Sequence, residues 1–170
     1  MQHNNEARRR TDRNEVDARI TELENKIAQL QRSPVFGCYS RAGIEDVLAG
    51  ADLSDRAVVY FDIDNMKQAN EQHGKTGVNL KIRAALGGVR ETDIVIGQWF
   101  SGDEFIALVT LADAFGFVTH LRAAFIREGL GATFAVLSIA DGIEAATERA
   151  DQLITASKVA GRKGGILWDL

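Results

Sequence analysis

The stretch Ala57-Val58-Val59-Tyr60-Phe61-Asp62-Ile63-Asp64-Asn65 decides how the chain is read. Its first five residues form an unbroken apolar run with β-branched and aromatic content, the composition of a buried strand. The run ends abruptly in two carboxylates. A buried strand that stops in paired acids reads either as an ordinary surface cap or as the floor of a site for a hard cation.

Working outward, residues 66–86 are largely helical, with a turn expected at His73-Gly74-Lys75-Thr76-Gly77 and closure at Gly87-Gly88. Residues 94–96 and 104–109 read as two strands of a hairpin joined through 97–103. Asp113 starts a helix running to about 127, 133–139 is a strand, 144–160 is a helix stopped by Gly161, and 166–168 supply a last strand. A short helix over 41–48 precedes the first strand. This order predicts an α/β or α+β layered domain with a mixed central sheet flanked by helices.

The chain has 170 residues, 45% hydrophobic and 26% charged, with Pro 1 and Gly 16, which suits one compact core and excludes a mainly disordered chain. A formal net charge of -4 removes the basic footprint that binding a nucleic-acid polymer requires. The single cysteine, Cys38, excludes an internal disulfide framework and a cysteine-cluster metal site. No stretch approaches the ~20 apolar residues of a membrane span, and the polar start has no signal-peptide core. The cytoplasm is the expected location, with no membrane contact from this chain.

Residues 1–32 hold seven basic and six acidic side chains and neither glycine nor proline. Within them Val16, Ile20, Leu23, Ile27 and Leu30 recur at alternating steps of four and three, the stripe of a two-stranded coiled coil. The arm therefore pairs with a second copy or folds back on its own domain. Ser33-Pro34 ends it, so residues 1–32 are read as a dimerisation arm and 33–170 as the main domain.

Two acidic clusters stand at strand edges: Asp62 with Asp64, and Asp103 with Glu104. Adjacent edges would bring Asp62 and Asp103 to one Mg²⁺ or Mn²⁺ carrying polyphosphate, since these ions prefer oxygen ligands. Lys67, and Lys158 with Arg162 four residues apart at the end of the last long helix, are cations available to phosphates, or simply a solvated surface. Asn70 and Asn79 offer donor and acceptor to a base edge. The glycines form neither a dinucleotide fingerprint nor a Walker loop, and three histidines without ligand spacing argue against zinc and hydrolytic triads.

Phe61-Asp62-Ile63-Asp64-Asn65-Met66-Lys67-Gln68-Ala69-Asn70, then Gly74 and Gly77, then Ser101-Gly102-Asp103-Glu104-Phe105, resemble the diguanylate cyclase catalytic domain, the GGDEF domain named for its Gly-Gly-Asp-Glu-Phe hairpin. The resemblance continues through Ala150-Asp151, Lys158 and Gly161-Arg162, covering roughly 33–168. It implies a nucleotide-cyclase or polymerase-palm-like fold and a homodimer in which two GTP molecules become cyclic di-GMP and pyrophosphate. It further implies metal binding by Asp62, Asp103 and the Ile63 carbonyl, and catalysis by Asp62, Asp103 and Glu104. Lys67, Lys158 and Arg162 match phosphate-binding positions, Asn70 matches the asparagine that reads guanine, and Ser101-Gly102 lie where the backbone approaches the nucleotide. Arg90 and Asp93 reproduce the Arg-x-x-Asp of the family's product-inhibition site, two residues farther from the hairpin than usual, or are surface residues that merely resemble it.

Departures from the pattern leave three outcomes open. Ser101 replaces a glycine, Asn79 replaces the usual guanine-reading aspartate, and Ser33 and Ser40 replace an aspartate and an asparagine, implying a weaker opening loop. The chain is accordingly an active cyclase, a degenerate domain that binds GTP or cyclic di-GMP and signals by interaction, or a cyclase with altered purine preference.

Overall fold

The computed structural model describes residues 2–88, 94–100 and 102–170, with side chains from residue 13 onward. The ten elements among them are α1 (Gln2–Leu30), α2 (Arg41–Leu48), β1 (Arg56–Asp64), α3 (Met66–Gly87), β2 (Val95–Gln98), β3 (Glu104–Thr110), α4 (Ala114–Arg127), β4 (Gly131–Ser138), α5 (Ile143–Val159) and β5 (Ile166–Asp169). The strands form one mixed sheet in the order β2-β3-β1-β4-β5, antiparallel except for the β4–β5 pair.

β1 lies at the centre, which is why its sequence is apolar on both faces. Its residues alternate between two cores. Ala57, Val59, Phe61 and Ile63 join the core shared with α3 and α4. Val58 and Tyr60 join the core that includes Ile44 of α2 and Ala146, Ala150 and Ile154 of α5. Phe61 anchors the first core, stacked on Phe105 at 5.4 Å and packed against Phe125 and Phe134 at 5.8 and 5.6 Å. The same alternation puts Asp62 and Asp64 in phase with Tyr60, on the α5 face.

Three sequence expectations need correction. Asp62 and Asp64 do not follow the strand but are part of it, because the ladder to Thr133 and Gly131 of β4 continues past the apolar run. The interruption expected over 73–77 is present as a kink at Gly74, whose φ 71° and ψ 154° leave helical geometry, a backbone setting open to glycine. Lys158 and Arg162 do not share a helical face. α5 ends at Val159, and Gly161 at φ 75° turns the chain so that the Arg162 N–H returns to the Ser157 carbonyl at 2.9 Å. Finally, the opening loop is well supported. Ser33 is buried and accepts from the Phe36 N–H at 3.3 Å. Ser40 caps α2 by accepting from the Gly43 N–H at 3.2 Å, and donates to the Leu30 carbonyl at 3.1 Å.

α1 is tied to α2 by that Ser40 bond and by Gln31 Nε2 donating to Asp46 at 2.9 Å. Its stripe of Val16, Ile20, Leu23, Ile27 and Leu30 stays exposed rather than folding back on the domain. No helix among the described residues is long and apolar enough to cross a membrane.

Candidate active site

The site grows from the end of β1. Asp62 stands directly opposite Glu104 in the β1–β3 ladder, and the Ile63 N–H donates to the Asp103 carbonyl at 3.3 Å. The hairpin thus carries Asp103 and Glu104 to the edge where β1 presents Asp62. On the other side of β1, Thr133 of β4 faces Asp62 in register.

Lys158, in the last turn of α5, reaches across to the same edge. Its Nζ is 3.0 Å from Asp62 Oδ2 and 3.1 Å from Asp64 Oδ1, and donates to the Ile63 and Asp62 carbonyls at 3.4 and 3.5 Å. Asp64 is buried, and its charge is answered fully: Thr133 Oγ1 donates at 2.8 Å and the Gly164 N–H at 2.9 Å, besides Lys158. Those bonds fold the loop after α5 over the ends of β1 and β4. Lys163 in that loop donates to Asn65 Oδ1 at 2.6 Å, and Asn65 adopts the left-handed conformation, φ 54°, as the chain turns from β1 into α3.

Electrostatics separate the acids. Burial pushes the Asp62 carboxyl up, Lys158 pulls against that shift, and the Asp103 and Asp64 charges add to it. Glu104 is also raised, first by burial and then by Asp62, Asp151 and Asp103. Beneath it Tyr60 is wholly buried, its hydroxyl making no well-formed hydrogen bond, and burial with the Glu104, Asp151 and Asp62 charges holds the phenol protonated.

Among the described residues no three His, Cys, Asp or Glu side chains form a metal cage on their own. The donor set at the β1 edge is instead two carboxylates and a main-chain carbonyl, all hard oxygens, and the Lys158 ammonium already sits between Asp62 Oδ2 and the Ile63 carbonyl as a stand-in cation. This chemistry fits a magnesium-like ion.

The other sequence candidates are placed unevenly. Lys67 lies exposed in the first turn of α3, next to the acids in the chain. Asn70 and Asn79 are both half-buried on α3, on either side of Gly74, and the Asn70 Oδ1 is enclosed without a donor. Arg162 is exposed in the loop beyond α5. Gly102 has φ 93° and offers its carbonyl to Gln98 Nε2 at 3.1 Å. Ser101, Arg90 and Asp93 lie outside the described residues. A separate groove of about 860 Å³ runs between the end of α1, the opening loop and the hairpin, where Arg41 lies 4.5 Å over the Trp99 ring; neither Asp62 nor Lys158 lines it.

Sequence reasoning missed Thr133, Lys163, Asn65 and Tyr60. Thr133 carried a signal, since it opens an otherwise apolar strand with a hydroxyl at the level of the aspartates.

No protein-family model matches the sequence, and neither does any curated protein. Among solved structures, the coiled coil and GGDEF domain of DgcB from Caulobacter crescentus, in complex with c-di-GMP, superposes with a TM-score of 0.75 at 21% identity over 96% of this chain and 98% of that one. The chain has the fold of a GGDEF domain. Diguanylate cyclase SiaD from Pseudomonas aeruginosa, in complex with its activator SiaC, matches at TM-score 0.66 and 20% identity, over 98% of this chain and 74% of that one. The S helix-GGDEF-EAL part of LapD from Vibrio cholerae, bound to c-di-GMP, matches at TM-score 0.69 and 14% identity, over 90% and 40%. The likeness to DgcB takes in α1 as well as the GGDEF fold, whereas the GGDEF domain of DgcB alone covers 81% of this chain.

Proposed function

We propose that the protein is a diguanylate cyclase, condensing two GTP into cyclic di-GMP with release of pyrophosphate across a homodimer joined through α1. The observation that carries this reading is the meeting of Asp62 with Asp103-Glu104 at adjacent strand ends, with Lys158 paired to Asp62.

Asp62, Asp103 and the Ile63 carbonyl would hold Mg²⁺ or Mn²⁺, which when bound neutralises charge on the triphosphate. The chain's own groups do the rest. Lys67, Lys158 and Arg162 orient phosphate oxygens, and Asn70 and Asn79 present amides to the base. Glu104 contacts the attacking 3′-hydroxyl, whose oxygen bonds to the α-phosphorus of the GTP on the facing subunit. The bond from that phosphorus to the bridging oxygen breaks, pyrophosphate leaves, and the hydroxyl proton passes through Glu104 to solvent. The same step with the subunits exchanged closes the ring. Holding the two nucleotides face to face supplies the orientation that free GTP lacks.

Mass spectrometry of products from GTP and Mg²⁺, with dimeric protein at micromolar concentration, tests the proposal. Cyclic di-GMP from the wild type and none from Asp103→Asn is the expected outcome; no product from either overturns it. Asn79 motivates a second reading, altered purine use, because an amide replaces a charged acceptor for the guanine N1 and N2 donors. Products from an equal mixture of ATP and GTP distinguish the two, exclusive cyclic di-GMP counting against the second.

A further inference from the structure

The Lys158 ammonium stands where a cation is needed. Its three N–H donors are distributed among Asp62 Oδ2, Asp64 Oδ1 and the Ile63 and Asp62 carbonyl oxygens, all within 3.5 Å. Two of these acceptors, the Asp62 carboxylate and the Ile63 carbonyl, are those assigned above to the divalent ion. Ammonium and ion therefore compete for the same oxygens. They cannot share them closely, because a divalent ion beside a lysine ammonium is a like-charge contact in a partly buried place: the Lys158 side chain is 20% exposed, Asp62 25% and Asp64 5%. Asp64 differs from Asp62 in that Thr133 and Gly164 bond it whether or not Lys158 stays, so the loop that carries Arg162 does not depend on the ammonium.

We propose that Lys158 is a resident counter-cation that closes the metal site of the nucleotide-free protein, and that a divalent ion binds tightly only together with a triphosphate, whose oxygens draw the ammonium off Asp62 and Ile63. The inference rests on the reading of Asp62 and Ile63 as metal ligands. Lys158 then has two acceptors in succession, carboxylates when the site is empty of nucleotide and phosphate when it is filled. Because coupling is reciprocal, the metal strengthens triphosphate binding by the factor with which the triphosphate strengthens metal binding.

Binding of Mn²⁺ alone, followed by electron paramagnetic resonance, tests this without turnover. Wild-type protein is expected to bind Mn²⁺ weakly by itself and at least tenfold more tightly with a GTP analogue carrying an α,β-methylene bridge. Lys158→Met is expected to bind Mn²⁺ alone at least tenfold more tightly than the wild type, and to melt at a temperature that Mn²⁺ raises. Lys158→Arg keeps the charge and should bind Mn²⁺ as weakly as the wild type. Wild-type affinity that is the same with and without the analogue overturns the inference, and this arm stands even if Lys158→Met does not fold. A folded Lys158→Met that binds Mn²⁺ no better than the wild type overturns it too. Asp62→Asn separates the two readings: loss of Mn²⁺ binding there upholds the metal ligand, so failure of the other arms then falls on the Lys158 inference alone, whereas unchanged Mn²⁺ binding removes the ligand assignment and the inference with it.

Discussion

Glu104 faces Asp62 across the β1–β3 ladder, two acids in register on one side of a sheet, and Lys158 bonds only the second of them. Like charges directly opposite in a ladder are destabilising. The pairing survives because the ladder around it is held by Tyr60↔Ile106 and Phe61↔Phe105, buried pairs that outweigh a local repulsion.

That relationship sets the pH dependence of folding. Both carboxyls sit above their ordinary values, so at these two groups the folded state binds more protons than the unfolded one, and their contribution to stability falls as pH rises from the unfolded carboxylate value of about 4 through the raised folded values, then levels off. Urea unfolding with EDTA across this range should show the decline. Glu104→Gln should flatten it and raise the neutral-pH melting temperature by about 2 °C, while abolishing product formation. A melting temperature lower than that of the wild type would show that Glu104 contributes stabilising contacts not seen here.

Gly97 is a packing prediction. A Cβ at this β2 position would run into the Ile44 side chain of α2 and lie 2.9 Å from the Tyr39 carbonyl. Gly97→Ala should cost about 1–3 kcal/mol as measured by chemical denaturation. Adding Ile44→Val should recover part of that loss, because the overlap involves the Ile44 Cδ1 and Cγ1 atoms. Additive losses in the double variant would place the strain at Tyr39 instead.

Much of this architecture is legible in the sequence because β1 and its neighbours follow simple patterns. The apolar run 57–61, the hairpin around 97–103 and the helix after Asp113 each carry local signals strong enough to survive tertiary context. What was hidden depends on pairing between distant segments. That β1 continues through Asp62 and Asp64 is decided by β4, seventy residues on, since polar residues in a strand look like its end until Thr133 and Gly131 are placed beside them. Arg162 left the face of Lys158 because Gly161 ends the helix one turn too early for the spacing to hold. The partnership of Lys158 with both aspartates has no sequence signature at all; it arises where α5 crosses the end of β1.

Base selection is the third prediction. Asn79 and Asn70 lie half-buried on α3, separated by the Gly74 irregularity, and Asn70 Oδ1 is enclosed without a donor. An amide oxygen at position 79 serves one donor of guanine, whereas a carboxylate accepts from two at once and more strongly. Asn79→Asp should therefore shift incorporation toward guanine by at least tenfold in competition between ATP and GTP, read by mass spectrometry of the products. An unchanged ratio would place base selection elsewhere, and Asn70 would be the next residue to vary.

The arm makes the last prediction. Val16, Ile20, Leu23, Ile27 and Leu30 are between 44% and 78% exposed, an apolar stripe that water does not favour, on a helix whose flanks carry the Arg19–Glu22 and Lys26–Glu22 ion pairs. A lone helix of this kind gains little from propensity and needs a second apolar surface. The stripe ends where Ser40 and Gln31 tie α1 to α2, so a partner helix would be held in a fixed relation to the hairpin through α2 and Gly97. Leu23→Glu should give a monomer by light scattering, with the melting of the main domain unchanged because Leu23 lies outside its core. If each protomer supplies only one nucleotide, product formation must fall with dimerisation and rise again as protein concentration increases. A Leu23→Glu protein that stays dimeric, or one that is monomeric yet makes product at the wild-type rate at every concentration, would remove α1 from the assembly of the active site.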